Sequence, residues 1–215
     1  MDNTSLKTEA YNAIKKRILN MEFAPNSILS EASLLKILDM SRTPIREALM
    51  KLEQENYIQI LPKKGILVIP LTLYDVDMIF ETRRLIEPFA LSQSYNYISM
   101  DVLKELLDAF RQCEPTDTDT FFRLDDRFHR LICTSGPNKF LNATLIRTYE
   151  QHDRIRVLTS PRIRHEIQKT LTEHIALCES ILAGDIKKAV TLLKKHLKTS
   201  HTLAIHALTT SNLSI

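Results

Sequence analysis

The stretch Leu29-Ser-Glu-Ala-Ser-Leu-Leu-Lys-Ile-Leu-Asp-Met-Ser-Arg-Thr-Pro-Ile-Arg-Glu-Ala-Leu-Met-Lys-Leu-Glu-Gln-Glu-Asn-Tyr57 decides the fold. Ser30 suits the N-cap of a short helix over Glu31 to Leu38. Asp39-Met40 makes a tight turn, and a second helix begins near Ser41-Arg-Thr-Pro44. There Thr43 is predicted to cap, with Pro44 at the first helical position, where its missing N–H costs nothing. Ile45, Ala48, Leu49 and Leu52 form the buried stripe of that helix. Asn56 follows its last turn, where a left-handed residue commonly ends a helix. Upstream, Ala10, Ile14, Ile18 and Met21 recur at helical spacing until Phe23-Ala-Pro-Asn-Ser27 breaks the pattern. Downstream, Tyr57-Ile-Gln-Ile-Leu61 and Ile66-Leu-Val-Ile69 flank Pro62-Lys-Lys-Gly65 and read as a β-hairpin. Three helices and a hairpin within residues 1–70 predict a winged helix-turn-helix.

Pro70-Leu-Thr72 is a short joint, and the chain beyond it, 71–215, reads as an all-α bundle of about six helices. The helices are expected near 73–97, 100–113, 119–134, 138–157, 162–183 and 186–207. Ser99, Pro115, Gly136-Pro137, Pro161 and Gly184-Asp185 separate them. The composition agrees: 44% of the 215 residues are hydrophobic, Gly occurs only 3 times and Trp is absent, which favours helices. The formal net charge is only +3, so any nucleic-acid surface must be local. Cys113, Cys133 and Cys178 show no Cys-x-x-Cys spacing and read as reduced, buried thiols. The N-terminus is polar, and no segment reaches the roughly 20 apolar residues a membrane span needs. A cytoplasmic chain without a membrane partner is therefore expected.

In a helix-turn-helix the second helix enters the major groove, with its N-terminal residues at base edges and phosphates. Arg42 and Arg46, four residues apart, share one face near that helix start, opposite the apolar stripe. Arg suits bidentate contact with guanine, while hydroxyls and free backbone N–H groups suit phosphate. Lys63 and Lys64 sit at the hairpin tip. Taken singly, such charges are ordinary solvated side chains, and only the order helix-turn-helix-hairpin turns them into a reading head.

The sequence from Leu29 to Tyr57, above all Ser-Arg-Thr-Pro-Ile-Arg-Glu-Ala-Leu, closely resembles the GntR family of regulators. The resemblance implies that Ser41, Arg42, Thr43 and Arg46 contact operator DNA and that Gly65 is the wing glycine. Two positions depart from the family pattern. Ala32 stands where some members carry a DNA-contacting Arg, and Asn56 replaces the usual Gly after the recognition helix.

The bundle holds a second candidate site. Asp125 and His129, at i and i+4, project from the same face as Phe121, Phe128 and Ile132, so they point inward. Alone, the pair is accounted for by a mutual hydrogen bond. The last two helices add more. His174 lies ten residues before Gly184 and His196 eleven after Asp185. At about 1.5 Å per residue both are roughly 15 Å from the turn, so an antiparallel hairpin sets them level. Three imidazoles and a carboxylate suit Zn2+ first, with Ni2+, Mn2+ or Fe2+ as alternatives. Arg83 stands among Val76, Ile79, Phe80 and Ala90 and needs an anion, either Glu87 at i+4 or the carboxylate of a ligand.

Leu-Asp-Asp-Arg-Phe-His129, Glu173-His174 and His196 look like the FCD effector domain of the FadR-like branch of that family. The resemblance implies a divalent metal at Asp125, His129, His174 and His196, and a small carboxylate effector near it. It also implies a homodimer on a palindromic, double-stranded operator, more often as repressor than activator. A regulator that answers to metal without an organic effector is the alternative. A metalloenzyme is disfavoured, because no further acid or base stands at a fixed offset and the DNA motif would be idle. His152, His165, His201 and His206 read as structural or surface residues.

Overall fold

The computed structural model describes residues 3–160 and 162–210, so the expected breaker Pro161 lies outside the described residues. The chain divides between Thr72 and Leu73 into two compact units.

The first unit contains α1 (Asn3–Leu19), β1 (Ile28–Leu29), α2 (Glu31–Leu38), α3 (Arg42–Gln54), β2 (Ile58–Leu61) and β3 (Gly65–Val68). Ala10, Ile14 and Ile18 of α1 pack with Leu34, Ile45, Leu49, Leu52, Tyr57 and Ile66 into one core. A polar clamp adds to it: Tyr11 Oη donates to Glu55 Oε2 at 2.5 Å, Lys15 Nζ donates to Tyr11 Oη at 2.8 Å, and Lys51 Nζ lies 3.9 Å from the Tyr11 ring centroid. Ser30 caps α2 as expected, its Oγ accepting from Ser33 N at 3.0 Å. Asp39 (φ 49°) and Asn56 (φ 58°) supply the two left-handed residues that end α2 and follow α3.

Two expectations are corrected here. The N-cap of α3 is Ser41, not Thr43, and its side chain makes no capping bond. Pro44 is thus the third helical residue, still inside the first turn, where no intrahelical donor is lost. The hairpin also gains a strand. β1 pairs antiparallel with β3, giving the order β1-β3-β2. A two-residue strand has no periodicity to read. It is defined by its partner through Asn26 N to Val68 O and Val68 N to Ser27 O, both 2.9 Å.

The second unit is a bundle of α4 (Leu73–Ser94), α5 (Met100–Gln112), α6 (Thr118–Thr134), α7 (Lys139–Thr159), α8 (Ile167–Leu182) and α9 (Ile186–Thr209). Ser99, Asp117, Asn138 and Asp185 cap α5, α6, α7 and α9 through their side chains. The boundaries match the periodicity except at two ends, where single 3-10 turns (Tyr95–Tyr97 and Arg164–Glu166) replace the expected α-helix. The core is continuous, from Leu91 and Leu103 through Phe110, Phe128 and Tyr149 to Leu177 and Leu193. Cys133 and Cys178 are buried, but Cys113 is only half-buried, against expectation. Among the described residues no helix is long and apolar enough to cross a membrane.

Candidate metal centre and nucleic-acid interface

Three helices bring four donors together. α6 carries Asp125 and His129 one turn apart, α8 carries His174, and α9 carries His196. The turn at Gly184 (φ 76°) sends α9 back along α8, which sets the His174 and His196 rings 4.6 Å apart, centroid to centroid. All four residues are buried, and one ligand atom from each lies within 4.8 Å of the others. His174 Nε2 is 3.1 Å from Asp125 Oδ1, His129 Nε2 is 3.5 Å from the same oxygen, and the Nε2 atoms of His129 and His196 are 3.3 Å apart. Ligands about 2.1 Å from a common ion stand roughly 3.0–3.4 Å apart in octahedral or tetrahedral arrangement.

The far side of three of these ligands is fixed by a charged neighbour. His129 Nδ1 lies 2.8 Å from Glu87 Oε2, and His196 Nδ1 lies 2.9 Å from Glu173 Oε2. Arg156 Nη2 donates to Asp125 Oδ2. A carboxylate on Nδ1 selects the tautomer whose Nε2 lone pair faces inward. Two such lone pairs at 3.3 Å repel unless a proton or cation lies between them. His174 is held differently. Its ring stacks on Phe110 (4.8 Å, 3° between planes), and neither nitrogen is hydrogen bonded, since the 3.1 Å approach to Asp125 lacks the alignment. A buried imidazole with both nitrogens unsatisfied is costly, and a metal on Nε2 removes part of that cost. The donor set therefore fits a divalent ion.

Electrostatics keep His174, His196 and Asp125 in their binding forms, whereas Glu87 and Asp125 outweigh burial at His129 and raise it, so an ion there would displace a proton. Burial, and then the neighbouring His196, push His174 down to about 4. Burial likewise lowers His196. Asp125 is held well below the carboxylate range, because the Arg156 guanidinium and His129 outweigh its burial. Glu87, though fully buried, is held at about 2 by Arg83 and His129.

Arg83 does pair with Glu87, its Nε donating to Oε1 at 2.5 Å, while Nη1 lies 2.9 Å from His152 Nε2. Its Nη2 is buried without a partner, and so is Arg156 Nε. Both guanidinium groups line a cavity of about 60 Å3 together with Asp125, His196, Phe80 and Thr159. Glu87 at i+4 of Arg83 and Glu173 beside His174 were visible in the sequence. The roles of Arg156 and His152 were not, because both lie on α7, which bears no spacing relation to the ligands.

The other expected residues all fall in the first unit. Ser41, Arg42, Thr43 and Arg46 are exposed at the start of α3, away from Ile45, Ala48, Leu49 and Leu52. Lys63 and Lys64 are exposed at the hairpin tip, with Lys63 left-handed (φ 63°) at the third position of a turn closed by Lys64 N to Leu61 O. Gly65 (φ 123°) is forced: a Cβ there would stand 2.6 Å from Leu29 O. Arg46 is not the free cation the sequence suggested. Its Nε and Nη2 reach Glu31 Oε1 and Oε2 at 3.0 and 3.2 Å.

A reading head of this kind ahead of a helical bundle with a buried polar centre is the build of a DNA-binding transcription regulator. Residues 6–68 match the gntR family of bacterial regulatory proteins and residues 78–199 match the FCD domain, so the chain belongs to the GntR family and carries an FCD domain. It is 28% identical over 176 residues to YdhC, a helix-turn-helix transcriptional regulator of Bacillus subtilis (strain 168), covering 80% of this chain and 78% of the relative. It is 24% identical over 194 residues to the transcriptional repressor RspR of Escherichia coli (strain K12), covering 88% and 85%. The fold is that of E. coli McbR/YncC, with a TM-score of 0.78 at 19% identity over 94% of this chain and 97% of the other. YdhC and RspR are regulators rather than enzymes.

Proposed function

We propose that the chain is an effector-responsive repressor. As a homodimer it would read a palindromic operator, through Ser41, Arg42, Thr43 and Arg46 in the major groove and Lys63, Lys64 and Gly65 at the wing. The carrying observation is the convergence of four buried donors beside two guanidinium N–H groups that have no partner. Asp125, His129, His174 and His196 would hold a divalent ion, Zn2+ first by donor chemistry. Bound there, such an ion supplies a Lewis-acidic anchor for one carboxylate oxygen. Arg83 Nη2 and Arg156 Nε would take the remaining acceptor positions, while Phe80 and the apolar wall exclude water. A cavity of about 60 Å3 is small beside the roughly 150 Å3 that holds benzene, so it fits a carboxylate head of about three heavy atoms.

The repressor sign is supported by the relative RspR, a transcriptional repressor. The dimer is supported by α4, where Met78, Leu85 and Phe89 are exposed and lie within roughly 40° of one another around the helix axis. A two-fold protein then matches a two-fold site. The small cavity favours one second reading, in which metal alone is the signal.

The test is a thermal-shift series with small carboxylates, run with and without chelator, beside elemental analysis of the wild type and of a His174→Ala/His196→Ala variant. The expected result is one metal per wild-type chain and none in the variant. A carboxylate should raise the melting temperature only when metal is bound. Unchanged metal content in the variant rejects the site. Operator affinity that follows metal but no carboxylate selects the second reading.

A further inference from the structure

α2 presents a carboxylate to the exposed arginine at the start of α3. Glu31 is the first residue of that helix, and its two oxygens take the Nε and Nη2 edge of Arg46 from across the turn, at 3.0 and 3.2 Å. The pair contributes little to folding, since the Arg46 side chain is 63% exposed and that of Glu31 33%. Its effect is geometric. A guanidinium offers two bidentate edges, the side (Nε with Nη2) and the end (Nη1 with Nη2). Glu31 occupies the side. The end is left free, with two parallel N–H groups in the spacing that matches guanine O6 and N7. The carboxylate also offsets the charge by which a free arginine would be drawn to any phosphate. Arg42, one turn earlier on the same helix face, is exposed and among the described residues forms no ion pair, so it keeps the full attraction for the DNA backbone.

We propose that Glu31 is a positioning and specificity-determining residue: by clamping the side edge of Arg46 it commits that arginine to end-on reading of a guanine, and leaves phosphate contacts to Arg42 and the wing lysines. The inference rests on the base-reading role given to Arg46 above. It assigns distinct tasks to two arginines that the sequence alone leaves equivalent.

The experiment selects from a random-sequence duplex pool with the full-length wild type, Glu31→Gln, Arg46→Ala and Arg46→Lys. The wild type should enrich one guanine in each half-site. Glu31→Gln should lose that enrichment at that position alone and keep the rest of the consensus. Its affinity for an unselected duplex should rise several-fold, with the slope of log K against log salt steeper by about 0.9, the value for one added phosphate contact. Arg46→Ala should relax the same position. Arg46→Lys, which keeps the charge but loses the fork, should relax it as well, and it covers the case of a misfolded Glu31 variant. Undiminished guanine enrichment in Glu31→Gln overturns the proposal, and so does a uniform weakening at every position. A wild type that selects a consensus without that guanine removes Arg46 as a base reader, and the role of Glu31 with it. A wild type that retains no duplex at low salt removes the reading head itself.

Discussion

The molecule contains two arginine–glutamate pairs, each made through the arginine Nε, in opposite surroundings. Arg46 and Glu31 meet at 3.0 Å in the reading head, largely open to water. Arg83 and Glu87 meet at 2.5 Å in the bundle, 1% and 0% exposed. In water the pair adds little to stability, and its effect is to orient Arg46 with one guanidinium edge left open. In the core neither can leave, since an unpaired buried charge costs several kcal/mol. The same chemistry thus orients a side chain in one unit and holds a fixed frame in the other. The fixed pair extends to the candidate centre, because the second oxygen of Glu87 holds His129.

The comparison breaks most readily at Glu87. Glu87→Gln leaves Arg83 buried without its counter-charge and should destabilise the metal-free bundle by about 3–5 kcal/mol in urea denaturation. A loss below about 1 kcal/mol would mean that the pair is no more fixed than an exposed one. Acid should come next. Between about 6.5 and 4 the unfolded chain takes up a proton that buried His174 refuses, so stability falls as pH falls through that window. His196 and His152 are lowered too and act in the same direction. His129 is raised, so its contribution is fully present below 6.5 and does not offset the loss. The melting temperature of the metal-free protein should therefore drop by several degrees from pH 7 to pH 4.5, and a flat profile would contradict the burial of these rings. In the head, Arg46→Ala should weaken operator binding by about 1–3 kcal/mol, read by titration of a selected duplex. Unchanged affinity would remove Arg46 from the interface. The smallest effect is on stability in the head: Glu31→Gln should shift the unfolding free energy by under about 1 kcal/mol.

Much of this was legible, for a physical reason. A helix converts sequence distance into angle and height, so Asp125 and His129 had to share a face, and His174 and His196 had to stand level across Gly184. The element order of the head followed in the same way from apolar spacing and turn residues. What stayed hidden depends on angles between elements. Glu31 and Arg46 lie fifteen residues apart across a turn, and only the crossing of α2 and α3 brings them to 3.0 Å. Arg156 reaches Asp125 from a helix whose rotation no spacing rule sets. The second task of Arg83 was left undecided between Glu87 and a ligand, because a guanidinium has enough donors for both. β1 escaped because two residues define no period, and Thr43 was preferred to Ser41 because both are good caps and only the backbone separates them.

Gly65 ties the hairpin to a segment that lies far from it in sequence. With Leu29 O filling the place of a side chain, the wing cannot tilt toward β1, and the β1–β3 pairing keeps it from swinging away. The hairpin is thereby held by β1 as well as by its own turn. One residue inserted among 24–27 would disturb the Asn26 and Ser27 bonds to Val68 and loosen the hold on the wing without changing any residue of α3 or of the hairpin.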